Sequence, residues 1–303
     1  MWSSITSAFS ARIEKLRNSY IKRTQIKKLL ASVKTDALIL EIGGGFNPRF
    51  FKATYPNVRH LDHCSTEELR KKYSDPSLGV AHRASNIQEV DFVFNGGPIE
   101  DLVPPDMRFD LIYGSHVLEH QVDLITHLQS LEKLIAVDGR IIEVIPDLRA
   151  CFDALRFPTV TSDVLVVHLN KPTIHQGKQV FDYLARMVNA DRGYRMSEGD
   201  FDGLRFEHSL AEAQEKMLAM EKGGATYFDS HAWAFTPTSF QLLMLELRLL
   251  GLTNLSPSYV SPQYGNQFCV ELARVPAVDT LSPQAIGTLN AQRFTLSRQM
   301  RIR

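Results

Sequence analysis

Leu38-Ile39-Leu40-Glu41-Ile42-Gly43-Gly44-Gly45-Phe46-Asn47-Pro48 opens as an apolar run and closes in consecutive glycines. A short apolar run bounded by turn residues is the pattern of a strand buried on both faces. The glycines permit a tight turn and let a ligand come close to the backbone. Glu41 sits at the mouth of the predicted strand. Ligands of open α/β sheets bind at this edge, outside the carboxyl ends of the strands. Glu41, Gly43, Gly44 and Gly45 are therefore candidate ligand contacts. A glycine-rich turn that binds nothing is the competing reading.

The ligand class can be narrowed from the same residues. A dinucleotide fingerprint needs G-x-G-x-x-G, and Pro48 stands where its third glycine belongs. A diphosphate also sits poorly beside the Glu41 carboxylate, which suits a cation such as the ammonium of an amino acid. Val58-Arg59-His60-Leu61-Asp62 reads as the second strand. Asp62 falls about twenty residues past the glycines, where an acid meets a ribose in nucleotide-binding sheets. A carboxylate accepts from both vicinal hydroxyls. The alternative is that Asp62 caps the next helix, although Ser65-Thr66-Glu67-Glu68 carries cap chemistry of its own.

Further strands follow at spacings that suit an α/β sheet. Val90–Phe94 is the third, running into the turn Asn95-Gly96-Gly97-Pro98, with extra loop expected around Ser74 to Ser85. Phe109–Tyr113 is the fourth, followed by Gly114-Ser115-His116-Val117-Leu118-Glu119-His120-Gln121-Val122-Asp123. A helix and the turn Val137-Asp138-Gly139-Arg140 precede a fifth strand, Ile141–Asp147. A sheet-flanking helix is expected to open between Arg49 and Tyr55.

These segments resemble the class I S-adenosylmethionine-dependent methyltransferases. The first stretch is similar to their E-x-G-x-G motif, and the segment after the fourth strand to their F-D-x-I…S-x-V-L-E-H-x-x-D signature. The turn at 137–140 is similar to their L-x-x-G-G, with Asp138 at a usual glycine. Ile145-Pro146-Asp147-Leu148-Arg149-Ala150-Cys151-Phe152-Asp153, with Arg156-Phe157-Pro158-Thr159, resembles a bacterial group of these enzymes often associated with surface polysaccharide synthesis. His231-Ala232-Trp233-Ala234-Phe235-Thr236-Pro237-Thr238-Ser239-Phe240 resembles that group's H-x-W-x-F-T-P-x-S-F, and the third-strand turn its V-W-D-G-G-P, with Asn95 for the usual Asp.

The resemblance implies a doubly wound, mostly parallel seven-stranded α/β sheet of Rossmann-like methyltransferase type, with a helical insertion after strand five. It implies S-adenosyl-L-methionine as cofactor and methylation of a hydroxyl on a glycan or glycan precursor. Small metabolites or nitrogen acceptors are the second reading, and a non-catalytic cofactor-binding module the third. Asn95, Ser115 and His116 join the candidate cofactor contacts, Asn95 toward the adenine edge. Asp147, Arg149, Arg156 and Trp233 are candidate acceptor contacts, with an Asp147–Arg149 ion pair as the plain alternative.

A hydroxyl acceptor is helped by a general base, and histidine is the usual choice. His116, His120, His168, His175, His208 and His231 are available. His231 is the first candidate, at the junction into the last helix, and His116 the second. In the resembled family the Glu119-His120 pair more often stabilises the site than performs chemistry. Hydrogen-bonded pocket histidines remain the alternative for each. With no H-E-x-x-H and no close ligand triad in sequence, no metal is assigned.

The expected organisation is a basic helical segment at 1–35, a cofactor-binding core at 36–150, a helical cap at 151–230, a helix and strand pair completing the core at 231–275, and a tail at 276–303. Residues 5–33 carry apolar residues at helical spacing, with Arg12, Lys15, Arg17, Lys22, Arg23, Lys27 and Lys28 against Glu14 alone. Two readings compete: a solvated face on a helix packed beside the first strand, or weak docking to a membrane surface or a polyanion. Thr236 and Pro237 start the last predicted helix, which Gly251 ends.

Composition sets outer bounds. Of 303 residues, 44% are hydrophobic and 22% charged, as in an ordinary globular chain. Lys+Arg and Asp+Glu both number 34, so nucleic acid is not an expected partner. Cys64, Cys151 and Cys269 lack paired spacing and predict neither a disulfide framework nor a zinc site. Without a membrane-length apolar run or a signal-peptide core, cytoplasm is the expected compartment. Oligomeric state has no signature.

Overall fold

The computed structural model describes residues 25–189, 201–222 and 225–301. Seven strands form one sheet in the order β3-β2-β1-β4-β5-β9-β8. They are β1 (Ile39–Ile42), β2 (Val58–Asp62), β3 (Phe92–Val93), β4 (Phe109–Ser115), β5 (Ile135–Pro146), β8 (Leu255–Val260) and β9 (Gln267–Arg274). The first five run parallel, whereas β9 is antiparallel to both β5 and β8. A second, two-stranded antiparallel sheet pairs β6 (Val188–Asn189) with β7 (Arg205–Phe206). This is the predicted doubly wound, mostly parallel sheet.

Side-chain alternation explains why these runs become central strands. Leu40 and Ile42 of β1 point into one core, with Ile112, Ile141 and Ile145. Ile39 points into the other, with Leu111, Tyr113, Ile142 and Val144. A strand covered on both faces has no polar side to show, hence the nearly continuous apolar runs. Along the chain, the helices are α1 (Thr66–Tyr73), α2 (Leu124–Leu134), α3 (Thr161–Asn170), α4 (Gly177–Leu184), α5 (Leu210–Met220), α6 (Pro237–Leu249) and α7 (Pro283–Gln299). Residues 25–30 are helical, and Ile26, Leu29, Leu30 and Val33 pack on the second core, beside the first strand. Residues 5–24 of the expected basic helix lie outside the described residues, and with them most of its charge. None of the described helices is long and apolar enough to cross a membrane.

Several expectations need correction. The helix predicted at Arg49–Tyr55 is absent, and turns and bends fill the span from β1 to β2. Pro48 and Pro56 leave seven residues between them, and a proline disfavours helix in the residue before it. The backbone there is held instead by Glu41, whose carboxylate accepts from Arg49 N–H at 2.5 Å and Phe50 N–H at 2.9 Å. β3 is shorter than Val90–Phe94. β5 begins at Ile135, so the predicted turn at 137–140 is absorbed into the strand through a register shift opposite Phe109 and Leu111. Gly139 is needed there because a Cβ would meet the Phe109 carbonyl at 2.7 Å. The segment after Pro276, expected as a tail packed on the surface or disordered, carries a helix: Ser282 caps α7, which lies against α6. Its period was invisible because Leu296 alone among its residues is fully buried. The last sheet helix is as predicted, with Thr236 accepting from Ser239 N–H, Pro237 in the first turn, and Gly251 at φ +70° beyond its end.

Glu143, in the middle of β5, is a buried carboxyl with no hydrogen-bond partner. It lies over Gly114, where any Cβ would overlap it. Burial, with the Glu119 charge adding to it, pushes Glu143 up from the ordinary 4.5 to about 8. The folded chain therefore keeps this proton across a range where the unfolded chain has lost it. Stability is fully present below about 4.5 and is lost as pH rises toward about 8. Glu143→Gln removes that slope. The melting temperature of the variant relative to the parent is expected to climb from pH 5 to pH 8 in a thermal-shift series, and a constant difference would contradict the assignment.

Candidate active site

The order of strands reverses between β1 and β4, and the crevice beyond their carboxyl ends is where such sheets bind ligands. The loops that meet there are the glycine turn after β1 and residues 116–123 after β4. They touch: a Cβ on Gly43 would overlap Val117 Cγ2. Gly43 adopts φ +68° and Gly45 φ +46°, a region that favours glycine. Gly43 N–H donates to Leu61 O at 2.8 Å and Gly45 N–H to Asp62 Oδ2 at 3.0 Å, tying the turn to the end of β2.

The predicted contacts fall into place unevenly. Glu41 is buried, and its oxygens already receive two backbone N–H groups, so it braces the glycine loop from beneath. Burial pushes it up to about 7 despite those bonds. Asp62 does not cap α1. Ser65 does, in a reciprocal capping box with Glu68. Asp62 lies at the strand end, with Oδ1 accepting from His63 N–H at 2.8 Å. Asn95 follows β3 on the same edge, where its Oδ1 accepts from Gly97 N–H at 3.0 Å and closes the turn. Ser115 ends β4, and His116 follows it at φ 58°, an uncommon value outside glycine. His116 Nε2 lies 2.9 Å from Gln267 Oε1.

Of the candidate acceptor contacts, Asp147 and Arg149 pair with each other: Arg149 Nε donates to Oδ1 at 2.9 Å and an Nη to Oδ2 at 2.7 Å. Arg156 is buried, donating to Asp153 Oδ1 and to His231 O, both at 2.8 Å. Trp233 is buried too, its Nε1–H donating to Gln121 O at 2.6 Å. Arg156 and Trp233 also line a cavity of about 300 Å³ beside α3 and α4, with Thr159, Lys178, Gln179 and Arg186.

His231 comes to the crevice because residues 233–235 thread between two loops. Trp233 N–H donates to Glu119 O at 3.2 Å, and Thr159 N–H and Leu148 N–H donate to Ala234 O and Phe235 O, each at 2.9 Å. His231 Nδ1 then lies 2.6 Å from Asp153 Oδ2. Burial alone would push Asp153 up, yet the neighbouring His231 and Arg156 hold its carboxyl below the usual carboxylate range. An Nδ1–H bonded to this carboxylate leaves the lone pair on Nε2. That nitrogen faces the Glu119 carboxylate at 3.9 Å, with His120 Nε2 at 3.8 Å and His116 Nδ1 at 3.6 Å from the same oxygen.

Asp153 was given no role in the sequence reading, and Glu119 only one, as the stabilising partner of His120. Both stood inside quoted motifs, and the signal that could have found Asp153 is an acid preceding a candidate base that needs orientation. The sequence also showed no ligand triad, whereas the structure brings Glu119, His120 and His231 together from positions far apart in the chain.

No family model and no curated protein matches the chain. Among solved structures, it is similar to the mitomycin 7-O-methyltransferase MmcR, with 16% identity, 90% of this chain and 60% of that chain covered, and a TM-score of 0.37. It is similar to DhpI, solved in complex with SAH, with 14% identity, coverage of 89% and 91%, and a TM-score of 0.40. It is similar to the CcbJ methyltransferase from Streptomyces caelestis, with 12% identity, coverage of 81% and 92%, and a TM-score of 0.39. The chain thus spans 60% of the length of the first of these. Likeness this loose places neither a residue nor a ligand, and the functional reading rests on the site.

Proposed function

We propose that the chain transfers a methyl group from S-adenosyl-L-methionine to a hydroxyl of a small molecule, glycans and their precursors included. The observation that carries this is the contact of Val117 with Gly43. It joins a glycine cradle and a carboxylate-ended β2 to a loop bearing the histidine cluster, so donor and acceptor sites would share one crevice. The cradle fits the cofactor. Gly43 leaves room for Val117, Gly45 holds a left-handed turn, and Asp62 offers acceptor oxygens to ribose hydroxyls. Glu41 supports the loop and leaves remaining lone pairs for an ammonium group. Asn95, Ser115 and His116 line the same strand-end edge.

When bound, the cofactor supplies an electrophilic methyl on a sulfonium. The protein's part is to hold the acceptor oxygen in line and to manage its proton. His231, oriented by Asp153, has a lone pair directed into the crevice side of the Glu119 cluster. His116 is the second proton acceptor at that edge. Arg156 and Trp233 line the cavity beside the His231 loop, and that cavity would take the acceptor. The glycan assignment draws on the motif resemblance at 145–159 and 231–240; small hydroxylated metabolites are served equally well by the same geometry.

The test is transfer of labelled methyl from the cofactor to a panel of glycans, hydroxylated metabolites and amines. Label on a hydroxyl compound is expected. Label confined to amines would overturn the oxygen assignment, and cofactor binding with no transfer to any compound or cell extract would favour a non-catalytic module.

A further inference from the structure

We propose that Glu119, His120 and His231 hold a divalent first-row transition-metal ion. Their ligand atoms all lie within 4.8 Å of one another. Glu119 Oε1 is 3.8 Å from His120 Nε2 and 3.9 Å from His231 Nε2. These gaps are too long for hydrogen bonds, which run to about 3.2 Å. They are close to the edges of a coordination shell with bonds of ~2.0–2.2 Å, whose ligand atoms stand a little over 3 Å apart. The two Glu119–histidine edges need a contraction of about half an ångström, and the two imidazoles, within 4.8 Å of the shell's other atoms, close in by side-chain rotation.

Two further observations point the same way. Glu119 is 1% exposed, and neither of its oxygens has a hydrogen-bond partner. A buried carboxylate left unpaired is costly, and a cation among its neighbours removes that cost. The histidines are also set up from behind. His231 Nδ1 meets Asp153 at 2.6 Å, and Arg156 holds Asp153 in turn at 2.8 Å. His120 Nδ1 lies 2.9 Å from Asp229 Oδ1, a charge contact short of an aligned hydrogen bond. Carboxylates behind metal-ligating histidines fix the tautomer and present the other nitrogen to the ion. Imidazole ligands favour zinc and its neighbours over magnesium or calcium. His116 Nδ1 lies 3.6 Å from the same Glu119 oxygen but outside the three-ligand group.

Ion binding here does not need the methyl-transfer reading, but an ion on His231 Nε2 occupies the lone pair that reading gives to the base, so with the ion bound His231 acts as ligand and not as proton acceptor. A role for the ion in lowering the pKa of an acceptor hydroxyl rests on that reading.

The test uses the full chain, stripped with chelator and titrated calorimetrically with Zn²⁺ and, separately, Mg²⁺. One Zn²⁺ per chain is expected, with a rise in melting temperature. Glu119→Gln and His120→Ala should each weaken Zn²⁺ binding at least 100-fold, and Asp153→Asn by roughly 10- to 100-fold. His120 is partly exposed, so its variant keeps the test open if the others fail to fold. No stoichiometric Zn²⁺ binding, binding of Mg²⁺ alone, or variants that bind as the parent does would each overturn the site. S-adenosylmethionine titrated into the same samples separates the two claims: cofactor binding without metal sinks only the ion, and metal binding without cofactor sinks only the methyl-transfer reading.

Discussion

Gly43→Val is expected to lower affinity for S-adenosylmethionine by at least 100-fold while the chain still melts cooperatively. Gly43 sits at φ +68° with its N–H on Leu61 O. A β-branched residue disfavours that region by ~1–2 kcal/mol. The added carbons would also collide with Val117. The free variant relieves both by moving the loop out of its left-handed turn. Binding must then undo that relaxation, and a cost near ~3 kcal/mol corresponds to about 100-fold. Val117→Ala in the same chain removes the collision but not the dihedral penalty, so it should restore part of the affinity. The sheet core lies below the turn, so the melting transition should survive. Unchanged affinity would mean that the glycine turn does not face the cofactor.

His231→Ala is expected to reduce turnover by roughly 100-fold or more, the scale of a positioned acid–base group, with cofactor affinity within about twofold. The imidazole is buried against Phe152, Tyr183 and His120, with ring centroids 4.6, 5.8 and 4.7 Å away. Its Nδ1 is committed to Asp153, so truncation removes the Nε2 function and leaves Asp153 still paired with Arg156. Asp153→Asn is a weaker probe of turnover, because it uncouples a buried guanidinium as well as the imidazole. Equal loss of turnover and cofactor affinity in His231→Ala would assign the residue to the cofactor side. A metal ligand at this position predicts the same loss of turnover, and the zinc titration separates that role from proton transfer.

The strands were legible because burial on both faces forces nearly continuous apolar runs, as at Leu38–Ile42 and Ile141–Ile145, each broken by a single glutamate. The last sheet helix was legible because Thr236, Pro237 and Gly251 mark its ends. Pairing across the chain was not. Arg156 reads as a free cation until Asp153 and the His231 carbonyl are seen against it. Trp233 reads as a pocket aromatic until its indole N–H is found on Gln121 O. Glu41 reads as an open ligand contact because nothing in the sequence shows that Arg49 and Phe50 will turn their N–H groups onto it. The missing helix after the glycines had its signal in Pro48 and Pro56. α7 had almost none, since a helix lying on the surface of another needs few buried positions. The metal-ligand cluster was hidden by distance: Glu119 and His120 are adjacent, but His231 reaches them only through the loop that Trp233 anchors.

The central claim is that the glycine turn and Asp62 together form a site for S-adenosylmethionine. Titration of the folded chain with S-adenosylmethionine and with S-adenosylhomocysteine, followed by calorimetry and thermal shift, tests it most directly. One molecule of either compound bound per chain, with binding weakened by Asp62→Ala, is the predicted result. A chain that melts normally yet gives neither heat nor a thermal shift with either compound would contradict it.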